Sequence, residues 1–189
     1  TVLEAVAGGA RVLSSARGRA HQLGVGADAA RGDWLLFLHA DSRLGIDAIH
    51  ALRHAVEQPP PFVAAVFRFE IDLPRGWKQF IEHGQALRES LFGLPYGDQG
   101  LLIRRETYEA VGGYPDLPIM EDVALITTLR RRHPIEQLPA PLLTSGRRYR
   151  HHGVLRTWLE HSLLLFFFGL GVSPARLVRW RSGTTHQPR

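Results

Sequence analysis

The chain holds no cysteine in its 189 residues. That excludes disulfide frameworks, thiolate metal sites and cysteine nucleophiles together. It holds a single lysine, Lys78, among 23 basic residues. The basic side chains are therefore almost all arginine, whose planar fork of donors suits phosphates and carboxylates. This excess reads either as a response to an anionic ligand or as a bias of gene composition. No apolar run approaches the roughly 20 residues that span a bilayer; the longest, LLLFFFGLGV, runs from Leu163 to Val172. The opening TVLEAVAGGARVL lacks the charged start and apolar core of a secretory signal. The expected location is the cytoplasm, with or without attachment to the cytoplasmic face of a membrane. No basic run is interleaved with aromatics, so nucleic acid is not an expected partner. No G-x-G-x-x-G turn or P-loop points to dinucleotide binding or nucleotide hydrolysis.

What is present is ordinary for a globular protein: 44% hydrophobic residues, 22% charged and a formal net charge of +5. The length suits one domain, or one domain with a small appendage. Apolar runs alternate with helical patterns, which predicts an α/β architecture. Helices are expected at 2–7, 19–30, 46–57, 76–92, 120–132 and 155–172. Strands are expected at Ala10 to Leu13, Trp34 to Leu38, Phe62 to Ile71 and Leu101 to Arg104, with an extended segment at 142–149. The run Trp34 to Leu38 (WLLFL) has the unbroken apolarity of a buried parallel strand. Three prolines at 59–61 stop the third helix, a glycine-rich loop surrounds Tyr96 to Gly100, and the tail after Arg181 is expected to be disordered.

Four constellations carry candidate chemistry. His39-Ala40-Asp41-Ser42 follows the WLLFL strand, and ligands of parallel sheets sit at strand carboxyl ends. Asp41 there would suit Mg²⁺ or Mn²⁺, hard cations that take oxygen ligands and bridge diphosphates; the alternative is a helix cap. Met120-Glu121-Asp122 opens a helix, where a carboxylate serves either as a general base or simply as a favourable charge at the N-terminus. Gly97-Asp98-Gln99-Gly100 is either a ligand-approach loop or a tight turn. Thr144-Ser145-Gly146-Arg147-Arg148-Tyr149 offers paired arginines to a departing diphosphate, or forms a basic edge.

Taken in order, these stretches resemble family 2 glycosyltransferases of the GT-A type. RGRAHQLGVGADAARGDWLLFLHADS resembles that family's second nucleotide-binding stretch and its DxD-like motif. FLHADS, YGDQGLLIRRETYEAVGGYP, PIMEDVAL and TSGRRYRHHGVLRT resemble the subfamily associated with arsenosugar biosynthesis clusters. The similarity runs from residue 1 to about 180. It implies a GT-A-like, Rossmann-like sheet, mixed but mainly parallel, flanked by helices and followed by an apolar C-terminal helix. Residues 1–152 would form the transferase domain, 153–181 the helical extension and 182–189 a tail. It also implies that the family's first β-α-β unit, of roughly 30–45 residues, does not precede Thr1. An exposed sheet edge, with instability or strand exchange between chains, is the expected consequence.

The resemblance assigns roles. Asp41 matches the metal-binding aspartate of the DxD-like motif, and His39 stands in place of its first aspartate as a second candidate ligand. Asp122 matches the catalytic base, with Glu121 beside it. Asp98 and Gln99 match the acceptor-side loop. Arg147 and Arg148 match the segment that contacts the donor diphosphate, and Arg17 and Arg19 lie where the family approaches donor phosphates. Gly24 stands where relatives usually carry asparagine. The implied reaction is metal-assisted transfer of a sugar from a nucleotide-diphosphate sugar to an acceptor hydroxyl, with inversion. The acceptor is expected to be a small molecule or lipid-linked. The rival reading is a degenerate, non-catalytic transferase-like domain. The C-terminal segment 156–180, with Trp158 and flanking Arg156, Arg176 and Arg179, reads as a peripheral membrane contact, a buried helix or a homodimer interface.

Overall fold

The computed structural model describes residues 2–57, 62–92 and 97–183. The proline stop at 59–61, Tyr96 and the tail beyond 183 lie outside the described residues. The helices are α1 (Val2–Ala7), α2 (Arg19–Ala29), α3 (Ile46–Glu57), α4 (Arg75–Phe92), α5 (Arg105–Ala110), α6 (Glu121–Arg130), α7 (Arg147–His152), α8 (Val154–Gly169) and α9 (Pro174–Gly183). The strands are β1 (Trp34–Phe37), β2 (Ser42–Leu44), β3 (Ala64–Asp72), β4 (Leu101–Arg104) and β5 (Glu136–Ser145), in the spatial order β1-β4-β3-β5-β2.

The architecture is α/β, as expected, but the sheet is not mainly parallel. Only β3 and β5 pair in parallel; β1 with β4, β3 with β4, and β2 with β5 are antiparallel. A continuous apolar run such as WLLFL reports burial on both faces, not the direction of the neighbouring strand. Leu35 pairs with Ile103 and Phe37 with Leu101, so two such runs lie side by side in opposite senses.

Burial explains the layering. On one face Leu35, Phe37, Val66, Leu101 and Ile103 pack against Leu125, Ile126 and Leu129 of α6 and Ala27 of α2. On the other, Ala65, Phe67, Leu102 and Leu142 pack against Ala48 and Ala55 of α3. Leu129 is fully buried, and truncating such a leucine to alanine costs about 2–5 kcal/mol. Where β3 ends, Phe69, Ile71 and Leu73 meet Ile81 of α4 and Trp158 of α8. Trp158 also packs, tilted, against Phe80 at 5.3 Å, which ties α8 to the domain.

Several local expectations are corrected. Ala10 to Leu13 forms no strand; Val12 and Leu13 stay exposed, with no ladder partner among the described residues. β5 begins at Glu136, earlier than the extended segment expected at 142, and takes in Pro139 and Pro141. They fall where the β3–β5 register shifts between Phe67 and Arg68, an irregularity that tolerates a missing backbone donor. The segment from Arg147 is helical, not extended. The apolar C-terminal segment is two helices, α8 and α9, broken after Gly169, and α9 carries the chain to Gly183. No helix among the described residues is long and apolar enough to cross a membrane.

Candidate functional site

The site is assembled by a strand pairing the sequence hides. The short β2 pairs with the end of β5, setting Ser42 opposite Thr144. The Ser145 amide donates to the Asp41 carbonyl at 3.1 Å. The loop after β1 therefore lies against the start of α7. Asp41 is thus not a helix cap: it sits in the turn before β2, and α3 starts only at Ile46. Gly146 lets the start of α7 lie close against the end of β3. A Cβ there would stand 2.1 Å from the Asp72 carbonyl oxygen and 2.7 Å from Leu73 Cδ2.

The result is a cleft of about 890 Å³ whose lining includes Arg19, His39, Asp41, Ser42, Thr144 and Arg147. Its positive side chains come from three segments: Arg19 opens α2, Arg43 lies in β2 and Arg147 opens α7. Beneath it, the Arg19 guanidinium is ion-paired through Nε with Oε1 of Glu121 and through Nη2 with Oδ2 of Asp122, the latter at 3.3 Å. The side chain of Glu121 is 1% exposed and that of Asp122 is 14%. The two carboxylates are thereby distinguished: Glu121 is buried beneath Arg19, whereas Asp122 keeps contact with solvent. Burial works against the Arg19 charge, but Asp122 and Glu121 outweigh it and hold its pKa above the ordinary value.

The same charges act on His39. Burial, then the nearby Arg19, hold its imidazole below the usual range, against the opposing pull of Asp122, Asp41 and Glu121. His39 is thus neutral at pH 7, with a ring nitrogen able to accept a proton or a ligand. Tyr114, from the GGYP turn, backs the carboxylates. Burial, then Asp122, push its phenol well above the ordinary range, so it stays a neutral hydroxyl. Met120, immediately before the pair, has φ of 65°, a left-handed conformation at a residue other than glycine. That costs about 1–2 kcal/mol, and such strain concentrates at functional sites.

The sequence candidates are thus partly gathered and partly separated. Arg19, His39, Asp41, Glu121 and Asp122 come together, with Arg147 on the same cleft. Arg148 turns away, to Glu160 of α8 at 3.2 Å. A helix sends consecutive side chains about 100° apart, so two arginines expected to act together on an extended segment are split. Arg17 is exposed and does not line the cleft. Gln99 is fully buried: it donates to the Phe67 carbonyl at 3.3 Å and accepts from Gln85. The Asp98 carbonyl accepts from the Thr144 hydroxyl at 2.9 Å. In this arrangement Asp98 and Gln99 tie their loop to β3 and β5, and neither lines the cleft. Gly24 lies within α2, where an added Cβ would meet nothing. Thr144 and Ser145 were singled out only as neighbours of the paired arginines, and Arg43 and Asp72 on the same cleft were missed; the β2–β5 and β3–β5 pairings that bring them there are non-local.

A second hollow of about 490 Å³ lies against α4. Lys78 there bonds Glu70 and also faces Glu82 at 3.9 Å, which leaves Arg68 as the one arginine on its lining. It lacks the converging arginines that an anionic ligand requires.

Among the described residues no group of three histidine, aspartate or glutamate side chains could hold a metal ion. Asp41 and neutral His39 supply one oxygen and one nitrogen donor on the cleft wall. That set alone does not cage a cation.

No protein-family model matches the chain, and no curated protein matches it.

Proposed function

We propose that this chain is a GT-A-like, family 2 glycosyltransferase domain, and that its cleft receives the diphosphate of a nucleotide sugar. The observation that carries the reading is the convergence of Arg19, His39, Asp41 and Arg147 on one cleft, with Asp122 joined to it through Arg19. Two arginines from separate helix starts suit a dianionic group. A neutral histidine and one carboxylate beside them suit a cation shared with that group. When bound, Mg²⁺ or Mn²⁺ would neutralise charge on the diphosphate.

In the proposed reaction the acceptor hydroxyl oxygen attacks the anomeric carbon as the bond from that carbon to the diphosphate oxygen breaks. The proton passes to the carboxylate of Asp122, and Arg19 and Arg147 hold the departing negative charge. Glu121 orients Arg19 and does not reach the substrate. For Asp122 to accept a proton, its hold on Arg19 must loosen, and an incoming diphosphate competes for that guanidinium.

The ion pair also favours a second reading. With Arg19 already engaged by Asp122, the domain would bind a nucleotide without transferring sugar. Calorimetric titration with UDP, GDP and their sugars, with and without Mn²⁺, tests both. Metal-dependent binding of one nucleotide, with transfer that Asp122→Asn abolishes, supports the enzyme. Binding without transfer supports the second reading. Folded protein that binds no nucleotide overturns both.

A further inference from the structure

The outward face of α8 is apolar where a solvent-facing helix normally carries charge. Leu155, Leu159, Leu163 and Phe166 are 57%, 52%, 45% and 61% exposed, and Leu170 at the end of the helix is 66% exposed. At 3.6 residues per turn these five positions form one stripe about 80° wide. It lies on the far side of the helix from the buried Thr157 and Leu164. The inward face is thus packed on the domain, and the stripe is a separate, uncovered surface. Phe167 meets Trp180 of α9 edge to face at 5.0 Å, which brings a half-exposed indole to the stripe's flank.

Charge identifies what fits this face. Residues 147–183 contain seven arginines and one glutamate, a surplus of six, whereas the whole chain carries a net +5. All of the net positive charge therefore resides in α7 to α9, and the rest of the chain is one charge short of neutral. Glu160, the one acid, is already engaged by Arg148 at 3.2 Å and lies 3.9 Å from Arg181. Arg147 faces the cleft and Arg150 pairs with Asp72, so the charge that belongs to α8 and α9 is that of Arg156, Arg176, Arg179 and Arg181, and pairing two copies through this face would oppose like charges. An anionic lipid surface, by contrast, attracts the arginines and accepts the leucines and aromatics at the headgroup boundary. We infer that α8 and α9 form an interfacial docking face for anionic membranes, with the leucine stripe entering the headgroup layer and Arg176 and Arg179 on its phosphates.

The full chain should co-sediment with vesicles of an equal mixture of phosphatidylcholine and phosphatidylglycerol, and remain in solution with phosphatidylcholine alone. Leu159→Asp with Phe166→Asp alters only exposed positions, and should weaken that binding about tenfold or more with an unchanged circular dichroism spectrum. Arg176→Gln with Arg179→Gln should weaken it as well and flatten its dependence on salt. Equal binding to both vesicle types overturns the proposal, as does binding that the aspartate pair leaves unchanged. A wild-type chain that ignores vesicles, but sediments as a dimer that the aspartate pair dissociates, assigns the face to a second copy and also overturns it.

Discussion

Arg19 and Glu121, 102 positions apart in the sequence, meet as an ion pair in which the carboxylate is almost wholly buried and the guanidinium is half exposed. A charge in Glu121's position is tolerated only because its partner is present. Arg19→Ala should therefore lower stability by about 2 kcal/mol or more, discounted for the guanidinium's exposure. Adding Glu121→Gln to that variant should recover part of the loss. Urea unfolding midpoints read both, and an equal midpoint for Arg19→Ala and the wild type would show that the pair is not structural.

The depressed pKa of His39 makes a signed prediction. Its folded value lies below the unfolded one. Below about pH 6.5 the unfolded chain therefore binds a proton that the folded chain resists. His39 contributes no penalty above that pH and a growing penalty as pH falls through it, levelling off below the folded pKa. His39→Gln should reduce the acid-side loss of stability relative to wild type and leave stability at pH 8 nearly unchanged. Denaturation across pH 5 to 8 for both proteins checks this.

Two glycines should behave oppositely. Gly146→Ala drives a methyl into the Asp72 carbonyl and Leu73, so β5 or α7 must move. A loss of about 1–3 kcal/mol is expected, together with weaker nucleotide binding, because Arg147 is carried with the displaced backbone. Gly26→Ala lies within α2, and its methyl meets nothing. It should gain about 0.5–1 kcal/mol from helix propensity alone. Thermal unfolding separates the two, and equal effects would contradict the contact geometry.

The adjacent arginines should separate as well. Arg147 lines the cleft, whereas Arg148 pairs with Glu160. Arg147→Ala should weaken nucleotide-diphosphate binding about tenfold, the worth of one charge-assisted contact, and Arg148→Ala should leave it nearly unchanged. Titration calorimetry on the two variants decides it. Equal losses would mean that α7 rearranges to present both side chains.

Much of the fold was legible locally. The unbroken apolarity of WLLF and LLIR marked β1 and β4, and the helical spacing in 46–57 and 76–92 marked α3 and α4, because propensity and burial act over short windows. Asp41, Asp122 and Arg19 stood out as charged residues next to element ends. β2 was not legible: three residues, Ser-Arg-Leu, form a strand only because β5 lies alongside. The direction of the sheet's pairings was equally hidden, since a strand buried on both faces looks the same whichever way its neighbour runs.

The sequence by itself determined where β1, β3 and β4 and the helices α2, α3, α4 and α6 lie, the excess of positive charge at the C-terminal end and the set of polar residues available for a site. Tertiary structure alone decided how that set divides. It joined Arg19 to Glu121 and Asp122, and turned Arg147 to the cleft and Arg148 away from it. It buried Gln99 as a tie between loop and sheet, and left the α8 leucines facing outward. The physical reason is common to all of these. Each depends on the approach of segments far apart in the chain, and local hydrophobic spacing carries no information about which distant backbone will lie beside it.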